Sequence, residues 1–178
     1  MSGHNRWQQI RHKKTDIDQK RGQIFSKLSK LISIAARKGT NPESNIELKN
    51  AIERARFLNM PSENIERAVK KVSDKEVSQL EMLHIELVGP KGSAFVIRVI
   101  SDNKNRTISE LKSIFKKHGF KMVQPGALAW MFKKDNGDFI PKNPVKTGDE
   151  DLKLKVKNLL EQIDDHNDVE EIYTNLIL

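Results

Sequence analysis

Within the first 14 residues, MSGHNRWQQIRHKK, stand two histidines, two arginines, two lysines and one tryptophan, with no acid among them. Lysine and arginine neutralise phosphates and release condensed counterions; a flat indole stacks on an exposed base; imidazoles donate to phosphate or stack. His4, Arg6, Trp7, Arg11, His12, Lys13 and Lys14 therefore suit contact with a nucleic acid, and Lys20, Arg21 and Lys27 continue the run. The plainer reading is a solvated basic tail, with Trp7 packed as a staple on a helical core. For the stretch as a whole the charge distribution favours contact with a nucleic acid or ribosome, while Trp7 either stacks on a base or anchors the arm. The net charge is +8, from 32 Lys/Arg and 24 Asp/Glu. The first 38 residues hold ten of the basic residues but only Asp16 and Asp18 among the acids, which leaves 22 of each sign beyond them. All of the net charge thus lies in the first fifth of the chain, and such asymmetry points to an acidic polymer or anionic surface as partner. If about six of these cations reached phosphates of a duplex, log K would fall against log salt with a slope of roughly −5.

Two other groups are candidates for chemistry. In "DNKNRT", Asp102 to Thr107, Asn105, Arg106 and the amides opening a helix could hold an anion. Ordinary turn chemistry accounts for the same residues, since Asn and Asp favour turns and Thr107 suits a helix cap. Near the C-terminus Asp164, Asp165, Asp168, Glu170 and Glu171 crowd together. Close carboxylates can bind a divalent cation, but no EF-hand spacing is present and no histidine stands in ligand register with them. A helix end and a solvated turn are expected instead, with no metal and no cofactor. Nucleotide-binding glycine loops, H-E-x-x-H and G-x-S-x-G are all missing, and the five histidines are scattered. His84 and His118 read as structural. An enzyme acting on a small-molecule substrate is not expected.

The chain has no cysteine, which removes disulfides, cysteine-based zinc sites and thiol nucleophiles, and fits a reducing compartment. No apolar run reaches the roughly 18–20 residues that span a bilayer. The basic N-terminus runs straight into a helix pattern, so no detachable leader is expected, and the location is cytoplasmic; a mitochondrial matrix location requires that a leader has been removed.

The elements that would carry these residues follow from periodicity. Ile24, Leu28, Leu31 and Ala35, broadened by Phe25 and Ile32, make a helix of Ile17 to Lys38 that stops at Gly39. The loop "GTNPESN" follows. Asn45 caps a second helix with Leu48, Ala51, Ile52 and Ala55 on one face, ending near Asn59 because Pro61 disfavours helix at Met60. Ser62 caps a third, with Ile65, Ala68 and Val69 inward. The polar "VSDKEVSQ" then marks a boundary between a helical domain, 1–75, and a second domain, 80–178. There Leu83 to Val88 and Ala94 to Ile100 read as strands, Thr107 to His118 as a helix, and Ala127 to Phe132 as a strand with Leu128, Trp130 and Phe132 on one face. Asn136-Gly137 is a two-residue hairpin turn leading to Phe139–Ile140. Asp149 to Ile163 is a helix, and Val169 to Leu178 a final strand. The order fits an α+β class: a three-helix module, then a ferredoxin-like split βαβ sheet with an extra strand.

Together "SGHNRW", "IRHKK", "KRGQIFSKL", "AARKG", "NMPSENIERA", "DNKNRT", "FKKHG", "GALAWMF" and "NDVEEIYTN" resemble, in order and nearly end to end, the YebC/PmpR family, which includes the mitochondrial translational activator of cytochrome c oxidase. Arg6 stands where lysine is common, and "GPKG" where the turn is usually richer in glycine. Members usually carry a third domain inserted into the second. Here Phe132 leads through "KKDNGDFIPKNPVKTG" almost directly to the last helix, so that domain is expected to be missing near 133–148. The resemblance implies a non-enzymatic regulator of gene expression. Bacterial members are described as probable regulators binding promoter DNA; others act in translation at the ribosome, aiding synthesis of difficult sequences such as proline runs. It places nucleic-acid contact on the ten basic and aromatic positions from His4 to Lys27 named above, with secondary contacts at Asn41, Asn59, Met60, Asn105 and Arg106. Ribosomal RNA or tRNA is the expected partner, with promoter DNA, or an acidic protein, as the alternatives; no membrane and no second copy of the chain is expected.

Overall fold

The computed structural model describes residues 14–73, 77, 79–135 and 137–177. The chain divides into two units, one drawn from Lys13–Met82 with Ile100–Lys104, the other from Leu83–Val99 and Asn105–Leu178.

The first unit is three helices: α1 (Lys14–Ala36), α2 (Ile46–Phe57) and α3 (Ser62–Lys70). Leu28, Ile32, Ala35 and Ala36 of α1 meet Leu48, Ala51, Ile52 and Ala55 of α2 and Ile65 and Ala68 of α3 in one core. Ala-rich faces let helix backbones approach closely, and Ser33 Oγ uses that proximity to donate to the Ala68 carbonyl at 2.7 Å. Asn45 is the joint between α1 and α2. Its Oδ1 accepts from the Leu48 amide, which caps α2, while Nδ2 donates to the Ala35 carbonyl in the last turn of α1 and to the Gly39 carbonyl just beyond it. The end of α2 is a Schellman motif with asparagine in the glycine position. Asn59 takes φ +57°, the Met60 amide donates to the Ala55 carbonyl at 2.9 Å, and Met60 itself is buried. Pro61, rather than Ser62, is the N-cap of α3, and its carbonyl accepts from Asn64 and Ile65. Ile100 packs in this unit with Val77, Leu80, Leu31 and Ile34.

The second unit is a mixed sheet with helices, completing the α+β class. Its strands are β1 (Glu81–Val88), β2 (Ala94–Ser101), β3 (Lys121–Val123), β4 (Phe132–Asp135), β5 (Asp138–Pro141), β6 (Val145–Lys146), β7 (Val169–Thr174) and β8 (Leu176–Ile177). Helix α4 (Lys104–Lys117) precedes β3, and α5 (Glu150–Asp164) precedes β7. The main sheet runs β3-β1-β2-β7. Strands β2 and β3, linked by α4, are thus split by β1, which sits at the centre rather than at an added edge. Alternation sorts the two faces. Ile85, Leu87, Phe95, Ile97 and Val99 pack with Leu111 and Phe115 of α4 and Leu152, Val156, Leu159, Leu160 and Ile163 of α5. Ala94, Val96 and Tyr173 look the other way, onto Leu128, Phe132 and Phe139.

Two expectations change here. Residues Ala127 to Met131 are not a strand but successive turns: Ala127, Ala129 and Met131 each donate to the carbonyl three residues back, and Phe132 to Leu128. The helical pitch of those turns puts Leu128 and Phe132 together in the core and turns Trp130 outward, where period-two alternation had placed all three on one face. The final strand also breaks after Thr174, because buried Asn175 takes its side chain to the Ala94 amide and Gly92 carbonyl; Leu176–Ile177 then pairs with β6.

Candidate nucleic-acid interface

His4, Arg6, Trp7, Arg11, His12 and Lys13 lie outside the described residues. Lys14 and Lys20 are on α1, whose backbone is described at both positions. Arg21 is exposed on the same helix, its guanidinium 5.4 Å from the centre of the Phe25 ring. That leaves a cation at the surface, steadied by an aromatic face. Lys27 is a correction: it is 5% exposed. Its position, three after Ile24 and four before Leu31, falls on the stripe that lines the helical core, so its stem is buried with them. Arg37 is exposed but donates to the Leu80 carbonyl at 2.8 Å, and Lys38 pairs with Glu47 at 2.7 Å.

The secondary candidates separate into surface and scaffold. Asn41 is exposed, and its Oδ1 accepts from the Glu43 amide at 3.0 Å, an Asx turn within the loop. Asn59 is exposed but occupied with stopping α2. Met60, 5% exposed, is the hydrophobic partner of that stop and offers nothing at the surface. Asn105 is exposed in the first turn of α4. Arg106 beside it donates to Asp168 Oδ2 at 3.0 Å, and Thr107 Oγ1 donates to the same oxygen at 2.7 Å. "DNKNRT" and "NDVEE" are thereby explained as one clamp, closed further by His166 Nε2 against Glu110 at 2.9 Å.

The C-terminal acids include the expected helix end, where α5 closes at Asp164 with Asp165 exposed as its cap, but the rest is not a solvated turn. Asp164, Asp168, Glu170 and Glu171 are all buried. Glu171 faces Arg98 across the β2–β7 register, with Arg98 Nη1 to its Oε2 at 2.5 Å, and Tyr173 Oη lies within hydrogen-bond reach of that carboxylate and of Asp138, with one proton to share between them. Burial alone would lower the Arg98 pKa; Glu171, then Tyr173 and Asp138, raise it above its ordinary value. Burial, then Glu171, pushes the Tyr173 phenol up. His84, edge-on to Phe139 at 4.9 Å, is held down to about 4 by burial, then by Arg98 and Lys134. This network clamps the β4–β5 hairpin to the sheet, since Arg98 Nη2 also donates to the Gly137 carbonyl. Among the described residues no group of three or more His, Cys, Asp or Glu is arranged to hold a metal ion. No helix among them is long and apolar enough to cross a membrane.

The strand expected over Ala127 to Phe132 did not foresee the exposure of its tryptophan. Trp130 is 69% exposed, on the turns that follow Pro125-Gly126. The Pro-Gly pair was the available signal, since it announces a turn rather than a strand.

Residues 5–75 match the model of the TACO1/YebC protein N-terminal domain, and residues 80–137 that of the TACO1/YebC second and third domain. The chain belongs to the TACO1/YebC family. A "probable transcriptional regulatory protein" of Dictyoglomus turgidum is 41% identical over 177 residues, 98% of this chain and 71% of that one. A protein of the same description from Halothermothrix orenii is 32% identical over 239 aligned positions, covering 98% of this chain and 94% of its own. The crystal structure of a conserved hypothetical protein from Aquifex aeolicus superposes with a TM-score of 0.80 at 28% identity, covering 94% of this chain and 95% of that chain. The TACO1/YebC relatives are thus named for regulation and not for a catalysed reaction.

Proposed function

We propose that this TACO1/YebC chain is a non-enzymatic, nucleic-acid-binding regulator of gene expression that acts in the cytoplasm, as a monomer, on ribosomal RNA or tRNA during translation. The observation that carries the reading is the concentration of the whole net charge in the first 38 residues. His4, Arg6, Trp7, Arg11, His12, Lys13, Lys14, Lys20 and Arg21 form the docking surface, with Asn41 and Asn105 as further exposed contacts. Lys27 and Met60 are left out because they are buried, and Asn59 and Arg106 because their roles are structural. Docking is electrostatic, with shape recognition, and needs no covalent step.

Promoter DNA is the second reading, favoured by the descriptions of the relatives. A helix-turn-helix reader would present the second helix of the α2–α3 pair to the major groove. The exposed face of α3 here mixes Glu63 and Glu66 with Arg67 and Lys70, and carboxylates at that position repel phosphates. RNA is therefore the better fit.

We further read the chain as a helical domain, 1–75, and an α+β domain, 80–178, without the family's inserted domain near 133–148. The alignment with the H. orenii protein supports this, because it needs 239 positions to accommodate a chain of 178 residues.

Changing Arg11, Lys13 and Lys14 together to alanine tests the docking surface. Ribosome affinity should fall and its salt slope flatten by roughly one unit per lost phosphate contact. Unchanged affinity would refute it, and a footprint on promoter DNA that survives competitor DNA would replace RNA with the second reading.

A further inference from the structure

Trp130 is presented to solvent on a backbone that is fixed from beneath. The Glu86 carboxylate, itself only 8% exposed, accepts from the Gly126 and Leu128 amides, each at 2.7 Å. The Phe132 amide donates to the Leu128 carbonyl at 3.1 Å, and the Lys142 amide to the Met131 carbonyl at 2.8 Å. The Lys142 ammonium donates to the Ala129 carbonyl at 3.1 Å, which sets a cation beside the indole's own peptide. Leu128 and Phe132 are buried on either side, so the loop is anchored while the ring between them is exposed. An indole is among the largest apolar groups a chain carries, and held exposed on an anchored loop it offers a flat face for stacking.

The charge of the chain segment that carries Trp130 indicates what its face would take. Residues 121–146 hold five lysines (121, 133, 134, 142 and 146) and only two acids, Asp135 and Asp138. Asp138 is already engaged by Tyr173 Oη at 2.8 Å and by Arg98 at 3.6 Å. Lysine is depleted from the cores of protein–protein interfaces, whereas an aromatic ring among cations is the usual platform for single-stranded nucleic acid. We propose that Trp130, with Lys142 beside it, stacks an unpaired base of a single-stranded nucleic acid, a contact on the sheet unit additional to the basic N-terminus. The ring takes any base face and the ammonium takes the adjoining phosphate, so the contact is sequence-tolerant.

The proposal rests on the nucleic-acid reading above, and the test separates the two. The full chain is labelled with 5-fluorotryptophan, and the fluorine resonance missing from Trp130→Phe is that of Trp130. Homopolymer strands of about 12 nucleotides, as RNA, as DNA and as the matching duplex, are titrated in. The Trp130 resonance should shift with single strands and not with the duplex. Shifts with both sugars would mark the base as the ligand, and a shift with RNA alone would mark the ribose as part of it. Trp130→Ala should weaken single-strand binding roughly tenfold, and Trp130→Phe less, with thermal midpoints unchanged because the ring is exposed. Full affinity in Trp130→Ala with an unmoved resonance overturns the stacking site and leaves the nucleic-acid function standing. An equal shift with duplex also overturns it. If the unaltered chain binds neither oligonucleotide nor ribosomal RNA, both readings fall.

Discussion

The helical unit and the sheet unit handle charge in opposite ways. In the helical unit the core is made of small and aliphatic residues, Ala35, Ala36, Ala51, Ala55 and Ala68 among them, and no carboxylate is buried among the described residues. In the sheet unit Glu86, Asp164, Asp168, Glu170 and Glu171 are all buried, with Glu171 paired to Arg98 and Asp168 to Arg106. The difference changes how the sequence charge is read. The balance of 22 basic and 22 acidic residues beyond residue 38 counts acids that never reach solvent. The surface of the sheet unit is more basic than its composition, which suits a second contact with a polyanion. One unit carries its charge outside a plain core; the other uses internal ion pairs to hold exposed groups in place.

The comparison is easiest to break at Arg98. Arg98→Ala leaves Glu171 buried beside Tyr173 without its cation, and should cost about 3–5 kcal/mol in urea denaturation. The pair Arg98→Met with Glu171→Leu should recover most of that loss, since well-packed apolar residues replace buried ion pairs at little cost. A single-variant cost near zero would mean that the internal pairs hold nothing in place.

In the helical unit the corresponding joint is neutral. Asn45→Ala removes the cap of α2 and the donor to the Ala35 and Gly39 carbonyls, and should lower stability by about 2 kcal/mol. Substitution by aspartate keeps an acceptor for the Leu48 amide but turns a carboxylate oxygen toward the Ala35 and Gly39 carbonyls, so it should not recover the loss in the same denaturation.

The pH response sharpens the contrast, because it should come from the sheet unit. His84 is held down to about 4 in the folded chain against an ordinary 6.5. The unfolded chain binds the proton first, so this contribution to stability is complete above 6.5 and is lost as the pH falls toward 4. Urea midpoints should decline across that window, and His84→Gln should flatten the decline. The smallest effect belongs to the surface pair Lys38–Glu47, where the two side chains are 66% and 55% exposed. Lys38→Ala should change stability by less than about 0.5 kcal/mol in a thermal melt at moderate salt.

What the sequence disclosed follows the same division. The helical unit was legible because its signals are local: stripes spaced three and four apart, Asn45 before α2, Gly39 and Asn59 at helix ends. The stripe of α5 and the β4–β5 hairpin were legible for the same reason. The sheet unit hid what depends on distant partners. Nothing within "NDVEEIY" announces Arg98 or Arg106, so its acids looked solvated. Alternation of Leu128, Trp130 and Phe132 fits a strand as well as a turn until Glu86 fixes the backbone. Lys27 looked like a surface cation because a lysine stem can line a core while its neighbours supply the apolar pattern. For the candidate interface, the sequence showed its charge, and the structure removed the two residues that are buried.

The most direct test of the central claim is co-sedimentation of the intact chain with ribosomes from lysate, with and without RNase, at low and moderate salt. The account predicts protein in the ribosome fractions at low salt, weakened by salt and released by RNase. Protein remaining wholly at the top of the gradient at low salt would contradict it and direct attention to promoter DNA.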